Sequence, residues 1–424
     1  MKKVLTQTLF FADILAFVMI VGNITTWAGG FKIQDQSTRG MGMADAYIAG
    51  VEDSSAIYYN PAALTKLSRP EFMSNLYIAH STTYYDGENV DFSSDNRTYL
   101  VPNIYAATPL EDYDKLSLGI GFYSPFGLGS QWGDNFPPNT NNQRILLGEI
   151  ALVNVNPTVA YEISDRLSIG VGIDYLVSQV DQKYTRIYGP TTEGDVKLDG
   201  FGHDWGYNLG LQWQVSEDII FGLTYRSQIK VDYDGEMKLE NFPIMTSSPS
   251  GMIFRDIETD LETQIDYPAI LGTGISWQAT DALRFELAAE WTKWSTRSKQ
   301  VIETDGVPGV MPAKSQPQNL DWQDSWVYML GAEYNVSEKW TIRTGYGYNE
   351  TPIPDHTADP TQPTGDTHAL AIGASYKATE SLLLDIAALV SYSEERTLTE
   401  KSNAPPGDYD AVGTLFSVGA RYQF

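Results

Sequence analysis

From about residue 70 to its end, the chain alternates apolar and polar residues with a period of two. That is the spacing at which successive side chains leave opposite faces of a strand. Leu167, Ile169, Val171, Ile173, Tyr175 and Val177 share one face, and Ser168, Gly170, Gly172 and Asp174 the other. The same division separates Leu283, Phe285, Leu287, Ala289 and Trp291 from Arg284, Glu286, Ala288 and Glu290. It also separates Trp340, Ile342, Thr344, Tyr346 and Tyr348 from Arg343, Gly345 and Gly347.

A nine-residue pattern punctuates these runs. It reads YEISDRLSI (161–169), WQVSEDIIF (213–221), WQATDALRF (277–285), YNVSEKWTI (334–342) and YKATESLLL (376–384), with a looser sixth version in TPLEDYDKLSLG (108–119). Ser/Thr followed by Asp/Glu makes tight polar turns, because these side chains bond nearby backbone amides. The aromatic before each turn sits where an interfacial girdle would place it. The lengths between turns vary too widely for a solenoid.

Six such turns join twelve strands in pairs; EFMSNLYIAHSTTYY (71–85) precedes them and TLFSVGARYQF (414–424) follows, giving fourteen. In the last strand Thr414, Phe416, Val418, Ala420, Tyr422 and Phe424 share a face, and a terminal aromatic there is typical of outer-membrane barrels recognised by the barrel-assembly machinery. The expectation is all-β: a 14-stranded antiparallel transmembrane β-barrel, in which every strand edge is paired and backbone polar groups are satisfied in lipid. Seven longer connections, roughly 86–97, 124–146, 183–204, 231–265, 293–322, 349–366 and 392–410, collect Pro, Asp and Asn as extracellular loops. A soluble sandwich could alternate in the same way, but here the polar faces are punctuated by Gly rather than filled with Lys.

Residues 1–28 break the pattern. Lys2 and Lys3 precede an apolar run from Leu9 to Val21, which ends near the small residues Thr26 and Ala28. This reads as a cleaved signal peptide. Residues 29–69 are rich in small residues and lack alternation. A fourteen-stranded sheet encloses a lumen unless something fills it, and this segment is the expected N-terminal hatch, with 70–424 as the barrel. Asn60 is placed to cap a short helix that starts at Pro61 and continues through Ala62.

Composition narrows the function. The chain of 424 residues has no Cys, so its stability rests on no disulfide, and Lys+Arg number 28 against 54 Asp+Glu, a balance that argues against nucleic-acid binding. His80, His203, His356 and His368 are its only histidines, and neither G-x-S-x-G nor H-E-x-x-H occurs. No cofactor or metal site is expected.

Two further features stand apart from an ordinary barrel wall. Pro125 stands in the third strand among Gly119, Gly121, Gly127 and Gly129, and Pro cannot donate to a ladder. The fourth long connection carries Phe242, Ile244, Met245, Met252, Ile253 and Phe254, an apolar patch where water is expected.

AGGFKIQDQSTRGMGMADAYIAGVEDSSAIYYNPAAL, GFYSPFGL (121–128), LTYRSQIKVDYDG (223–235), WTKWS (291–295) and IRTGYGYNETPIP (342–354) resemble, in the same order, blocks of the OmpP1/FadL/TodX family of outer-membrane long-chain fatty-acid and hydrocarbon transporters. The resemblance spans the mature chain. It implies a bacterial outer-membrane protein, not an enzyme, with an N-terminal hatch whose signature falls on Asn60, Pro61 and Ala62. It further implies passive uptake of hydrophobic molecules: capture between outer loops at Phe242, Ile244, Met245, Met252 and Phe254, binding inside the barrel, and lateral release at a kink over Gly121 to Ser124 beside Pro125. Arg186 resembles a family position that contacts the ligand head group, Lys314 is a weaker candidate, and Phe31 and Ile33 fall where ligand is touched. Arg343 is expected to pair with Glu286, Glu290 or hatch carboxylates. The implied partners are a fatty acid, alkane or aromatic hydrocarbon, together with outer-membrane lipid and lipopolysaccharide; a barrel stoppered by its own chain is expected to be a monomer. An outer-membrane lipid-active enzyme and a general porin are the alternatives.

Overall fold

The computed structural model describes residues 30–111, 113–189, 192–245, 252–307 and 312–424; the expected signal peptide, 1–28, lies outside the described residues. The wall consists of fourteen strands. These are β1 (Glu71–Asp86), β2 (Arg97–Pro109), β3 in two pieces (Leu116–Tyr123 and Leu128–Gln131), β4 (Gln143–Ser164), β5 (Leu167–Gly189) and β6 (Thr192–Gln214). They continue as β7 (Ile219–Arg226 and Ile229–Met245), β8 (Met252–Tyr267 and Ile270–Gln278), β9 (Leu283–Thr292) and β10 (Ser325–Asn335). The last four are β11 (Trp340–Asn349), β12 (Thr367–Lys377), β13 (Leu382–Ser393) and β14 (Gly407–Gln423). Each pairs antiparallel with the next, and β14 returns to β1 from Gln423↔Glu71 to Asp408↔Asp86, closing the barrel.

The two faces divide as the alternation requires. Ile173, Leu287 and Leu370 point outward and are 51%, 61% and 60% exposed, a burial pattern that only lipid makes favourable. Tyr161, Trp213, Trp277, Tyr334 and Trp340 are exposed beside the short turns, forming one aromatic girdle. Inward, Ser168, Asp174, Arg284, Glu286 and Arg343 are buried.

They are buried because residues 30–68 pack inside. From Gly30 to Leu64 only Glu52 is exposed. The segment has little regular structure (a turn of helix at Thr38–Met41, another at Ala56–Tyr59, a 3-10 helix at Pro61–Lys66), so its backbone needs partners from elsewhere. Lumen side chains provide them. Glu286 accepts the N–H of Ala49 and of Gly50 at 2.7 and 2.9 Å, and Gln212 and Arg284 donate to the carbonyls of Ala49 and Gly50 at 2.8 and 2.5 Å. Asn75 accepts Thr38 N–H at 3.1 Å, Asn208 donates to Ile57 O at 3.0 Å, and Glu71 accepts Ser54 N–H at 2.8 Å.

Two of the long connections differ from expectation. The described residues of 183–204 and 231–265 are mostly strand: β5 and β6 stay paired as far as Gly189↔Thr192, and β7 and β8 as far as Met245↔Met252. The alternation persists there, with water replacing lipid on the outer face. Val196, Met237, Leu239, Ile257 and Leu261 form a buried apolar cluster on the inner face, with Phe242 and Ile244 packed against it. On the opposite side the loops lock together as a cap. Trp132 donates to Pro360 O at 2.7 Å, Asn139 to Asn403 O at 2.8 Å, and Thr357 to Leu320 O at 2.6 Å.

Candidate functional site: a chamber over a broken strand

Pro125 interrupts β3. Tyr123 pairs with Asn154 of β4, and the next pair is Leu128 with Ile150, so residues 124–127 face 151–153 with one residue too many. On the other side, β2 pairs with β3 only from Ile104↔Phe122 to Pro109↔Ser117. Residues 124–127 therefore lack ladder partners in the wall. The N-terminal residues take that place: Ile33 N–H donates to Pro125 O at 2.9 Å and Gly127 N–H to Phe31 O at 2.8 Å. The Gln36 amide donates to Ser124 O at 2.9 Å, and Gln36 O accepts from Tyr105 OH at 2.9 Å and from the Asn103 amide at 3.2 Å. Lys32 forms an ion pair with Glu290. Residues 31–36 are thus a strap laid across the break.

The expected kink was at Gly121 to Ser124, but Gly121 is paired on both sides, with Tyr105 and Asn156. The break starts at Ser124 and runs to Gly127, because it is the missing N–H of Pro125, rather than the glycines before it, that ends the ladder.

Above the strap lies a cavity of about 150 Å³. Its floor is the ring of Phe31, whose centroid is 4.8 Å from Trp294, 5.6 Å from Tyr267, 5.7 Å from Trp322 and 5.9 Å from Phe126. Its walls include Ile150, Val180, Leu198, Leu261, Ile265 and Ile302. Leu198, Leu261 and Ile302 also belong to, or pack on, the apolar face of the β5–β8 extension, so one apolar surface runs from the outer hairpins into the chamber.

Arg297 lines the same cavity. It is 8% exposed, with its guanidinium carbon 4.9 Å from the ring centroids of both Phe31 and Trp322. Among the described residues its buried Nε has no hydrogen-bond partner. Burial pushes the guanidinium down to about 10.

The other expected residues fall as follows. Phe31 is the chamber floor, whereas Ile33 packs in a neighbouring cluster below it. Arg186 and Lys314 are both exposed, on β5 and on a short strand Lys314–Asn319, and neither lines the chamber. Phe242 and Ile244 sit on the inner face of the β7–β8 hairpin, while Met252 and Phe254 are 44% and 40% exposed. The side chain of Met245 is outside the described residues. Asn60 ties the start of the 3-10 helix: its side chain accepts Ala62 N–H at 3.2 Å and donates to Ile48 O at 3.0 Å and Leu211 O at 3.1 Å. Pro61 and Ala62 lie so close to β5 and β6 that a Cβ on Gly170 or Gly210 would strike them. Arg343 does not pair as expected. It binds Glu333 at 2.6 Å, because Glu286 is taken by the amides of Ala49 and Gly50 and Glu290 by Lys32. Trp294, Arg297 and Trp322 were missed. The only sequence signal for them is a basic residue in an aromatic-rich stretch, WTKWSTR (291–297), directly after a strand.

Comparison with known proteins agrees with the barrel fold. The profile of the outer membrane protein transport protein family (OMPP1/FadL/TodX) matches residues 19–424. The chain is 23% identical to the long-chain fatty acid transport protein of Escherichia coli O6:H1, covering 99% of each. It is 24% identical to outer membrane protein P1 of Haemophilus influenzae, covering 98% of this chain and 99% of that one. Among solved structures, a Pseudomonas aeruginosa FadL homologue superposes with a TM-score of 0.80 at 19% identity, over 93% of this chain and 100% of that one. The Pseudomonas putida toluene transporter TodX does so with a TM-score of 0.72 at 16% identity, over 94% and 99%. With the closed barrel and a profile that spans nearly all of it, the chain belongs to the OMPP1/FadL/TodX family of outer-membrane transport proteins for hydrophobic molecules.

Proposed function

We propose that the protein takes up long-chain hydrophobic molecules passively and releases them sideways through its own wall, with residues 29–69 as hatch and 70–424 as barrel. Ligand leaves water on the apolar face of the β5–β8 extension, where Phe242 and Ile244 stand nearest the tip. It descends the continuous apolar surface to the chamber and displaces Phe31. The strap then lets go of Ser124–Gly127, and the unpaired stretch of β3 becomes an opening at membrane level.

One observation carries this reading: Phe31 is the floor of the chamber, and its own carbonyl, with the N–H of Ile33 two residues on, is the partner of the broken strand. A molecule that fills the chamber therefore competes with the residues that fill the break. The strap is held by hydrogen bonds of about 1 kcal/mol net each, by the Lys32 ion pair and by the burial of the Phe31 ring, about 1.5–3 kcal/mol; a long hydrocarbon chain that takes the ring's place supplies a comparable sum at ~0.8 kcal/mol per CH₂. A general porin fits less well, since residues 30–64 are buried in the lumen.

The test uses the absence of cysteine. Lys32 and Phe126 are bridge partners, a geometry within disulfide reach. Lys32→Cys with Phe126→Cys, oxidised, is expected to cut uptake of labelled oleate at least tenfold in cells lacking their own transporter, with recovery on reduction. Unchanged uptake in the cross-linked protein overturns the lateral route. No gain over empty vector, with the wild-type barrel correctly inserted, overturns transport itself.

A further inference from the structure

We propose that the side opening carries a second closure above the strap: Arg97, Glu149 and Tyr99 latch the two lips of a seam between β2 and β3, and this latch limits the girth of the cargo that leaves. This rests on the uptake reading above.

The seam follows from the strand pairing. β2 pairs with β1 from Arg97 to Ala107, but on its other side it meets β3 only from Ile104 to Pro109. The upper piece of β3, Leu128–Gln131, pairs with β4 at Leu147–Ile150. Among the described residues, no ladder joins 98–103 on one lip to 124–131 on the other. At about 3.3 Å per residue, the six residues of the β2 lip run about 20 Å. Pro102 stands in that stretch, where no ladder asks for the N–H it lacks. Ile78 and Leu100, an outward pair between β1 and β2, are 36% and 43% exposed, so the seam lies at the level of hydrocarbon.

The strap covers only the lower part. Its bonds reach Ser124, Pro125 and Gly127 on one lip and Asn103 and Tyr105 at the foot of the other. Above it, three contacts cross from lip to lip. Tyr99 OH donates to Gly129 O at 3.3 Å, Asp95 N–H donates to Gln131 O at 2.7 Å, and Arg97 forms an ion pair with Glu149. The ion pair skips β3 and ties β2 directly to β4, the strand beyond it. Glu149 also lines the chamber, so the latch stands between the chamber and the seam. Tyr99 shares an apolar cluster with Val101, Val153 and Ile33 of the strap, so parted lips offer cargo an apolar lining. A cargo that displaces Phe31 frees 124–127 alone, about 13 Å of lip. A single hydrocarbon chain passes there with the latch shut, whereas a broad ring system needs the upper part as well. A partly exposed ion pair holds weakly, which suits a closure that must part and re-form.

The test is uptake of hexadecanoate and of pyrenyl-dodecanoate, a single chain ending in four fused rings, by cells lacking their own transporter. The readout is the ratio of the bulky probe to the straight one. Arg97→Gln, which cuts the ion pair, is expected to raise that ratio at least fivefold. Arg97→Glu combined with Glu149→Arg rebuilds the pair in reverse and should return the ratio to within about twofold of wild type, which a packing role for either residue does not predict. Tyr99→Phe removes only the hydroxyl bond to Gly129 and should raise the ratio at least twofold; it serves if Arg97→Gln fails to assemble. A ratio unmoved by Arg97→Gln or, failing its assembly, by Tyr99→Phe overturns the latch, as does a rise that the reversed pair does not undo. In either case uptake of hexadecanoate by wild type leaves the transport reading standing. If wild type takes up neither probe, the transport reading falls first and this one with it.

Discussion

The N-terminal segment is held in two places by unlike chemistry. Around Arg39 and Asp53 it enters a buried charge network with the wall: Arg39 reaches Glu333 at 3.1 Å and Asp53 at 3.5 Å, Glu333 also binds Arg284 and Arg343, and Arg421 reaches Asp53 at 3.9 Å. From Phe31 to Gln36 it is held instead by backbone and amide hydrogen bonds to a defective strand, with a single ion pair at Lys32. The two regions resist opening differently. Removing one member of a dry charge network strands the others, so the network yields all at once or not at all. Hydrogen bonds at a strand defect can be given up one by one. The contrast teaches that a stopper can be both fixed and mobile if its anchor is ionic and its flap is not. Motion should then be confined to about 31–36.

The largest effect should come from the anchor. Glu333→Ala leaves Arg39, Arg284 and Arg343 facing one another without the shared carboxylate and should cost about 3–5 kcal/mol. Urea unfolding in lipid vesicles, followed by tryptophan fluorescence, checks it; a loss under about 1 kcal/mol, the range of exposed pairs, would dissolve the contrast. Next comes the seat of the 3-10 helix. Gly170→Val drives a side chain into Pro61 and Ala62 and should cost about 1–3 kcal/mol by overpacking in the same assay. Smaller again is the flap. Gln36→Leu removes the bonds to Ser124 O and Ile33 O, about 1 kcal/mol each, offset in part because Gln36 Oε1 is buried with no partner among the described residues. It should leave the unfolding midpoint nearly unchanged yet raise the frequency of openings in planar bilayers. Equal effects on both readouts would mean that the strap belongs to the anchor.

The barrel was legible because lipid enforces the simplest code a strand has. Every outward residue of β5 from Ile169 to Ile173 must be apolar, and no tertiary partner can relax that. The turns were legible because Ser/Thr-Asp/Glu bonds its own backbone. Pro125 announced the break, but not its limits, since these depend on which residues of β4 and of the strap accept the orphaned groups. The extensions of β5–β8 were read as loops because above the membrane the outer face turns acidic, as at Asp232, Asp234 and Glu236, and the alternation survives only on the inner face. Arg297 was legible only as a basic residue in an aromatic-rich stretch. Its place over the ring of Phe31, 266 positions earlier, is set by the closed barrel and not by any local pattern.

A last and smallest effect lies where anchor and flap meet. Tyr59 OH donates to Asp45 at 2.5 Å and accepts the N–H of Gln36 at 3.1 Å, so Asp45 is linked to the strap through one phenol. Burial raises the Asp45 carboxyl to about 6, and the groups that act on it are Tyr59, Asp35, Glu290 and Lys32. A carboxyl with a raised value in the folded state favours folding in its protonated form. Its contribution is whole below the unfolded value near 4 and is lost as pH rises through about 6. Asp45→Asn stays neutral throughout and removes the dependence. The stability of wild type minus that of Asp45→Asn should therefore fall between pH 4 and 6 and be flat above it, measured by urea unfolding in vesicles at each pH. Taking the difference cancels the titrating groups that do not touch Asp45; Asp35, which bonds to it, is replaced by Asn in both proteins of the comparison. A flat difference across the range would show that the carboxyl does not titrate there, and a rising one that its charge is stabilised by Lys32 more than it is penalised by burial.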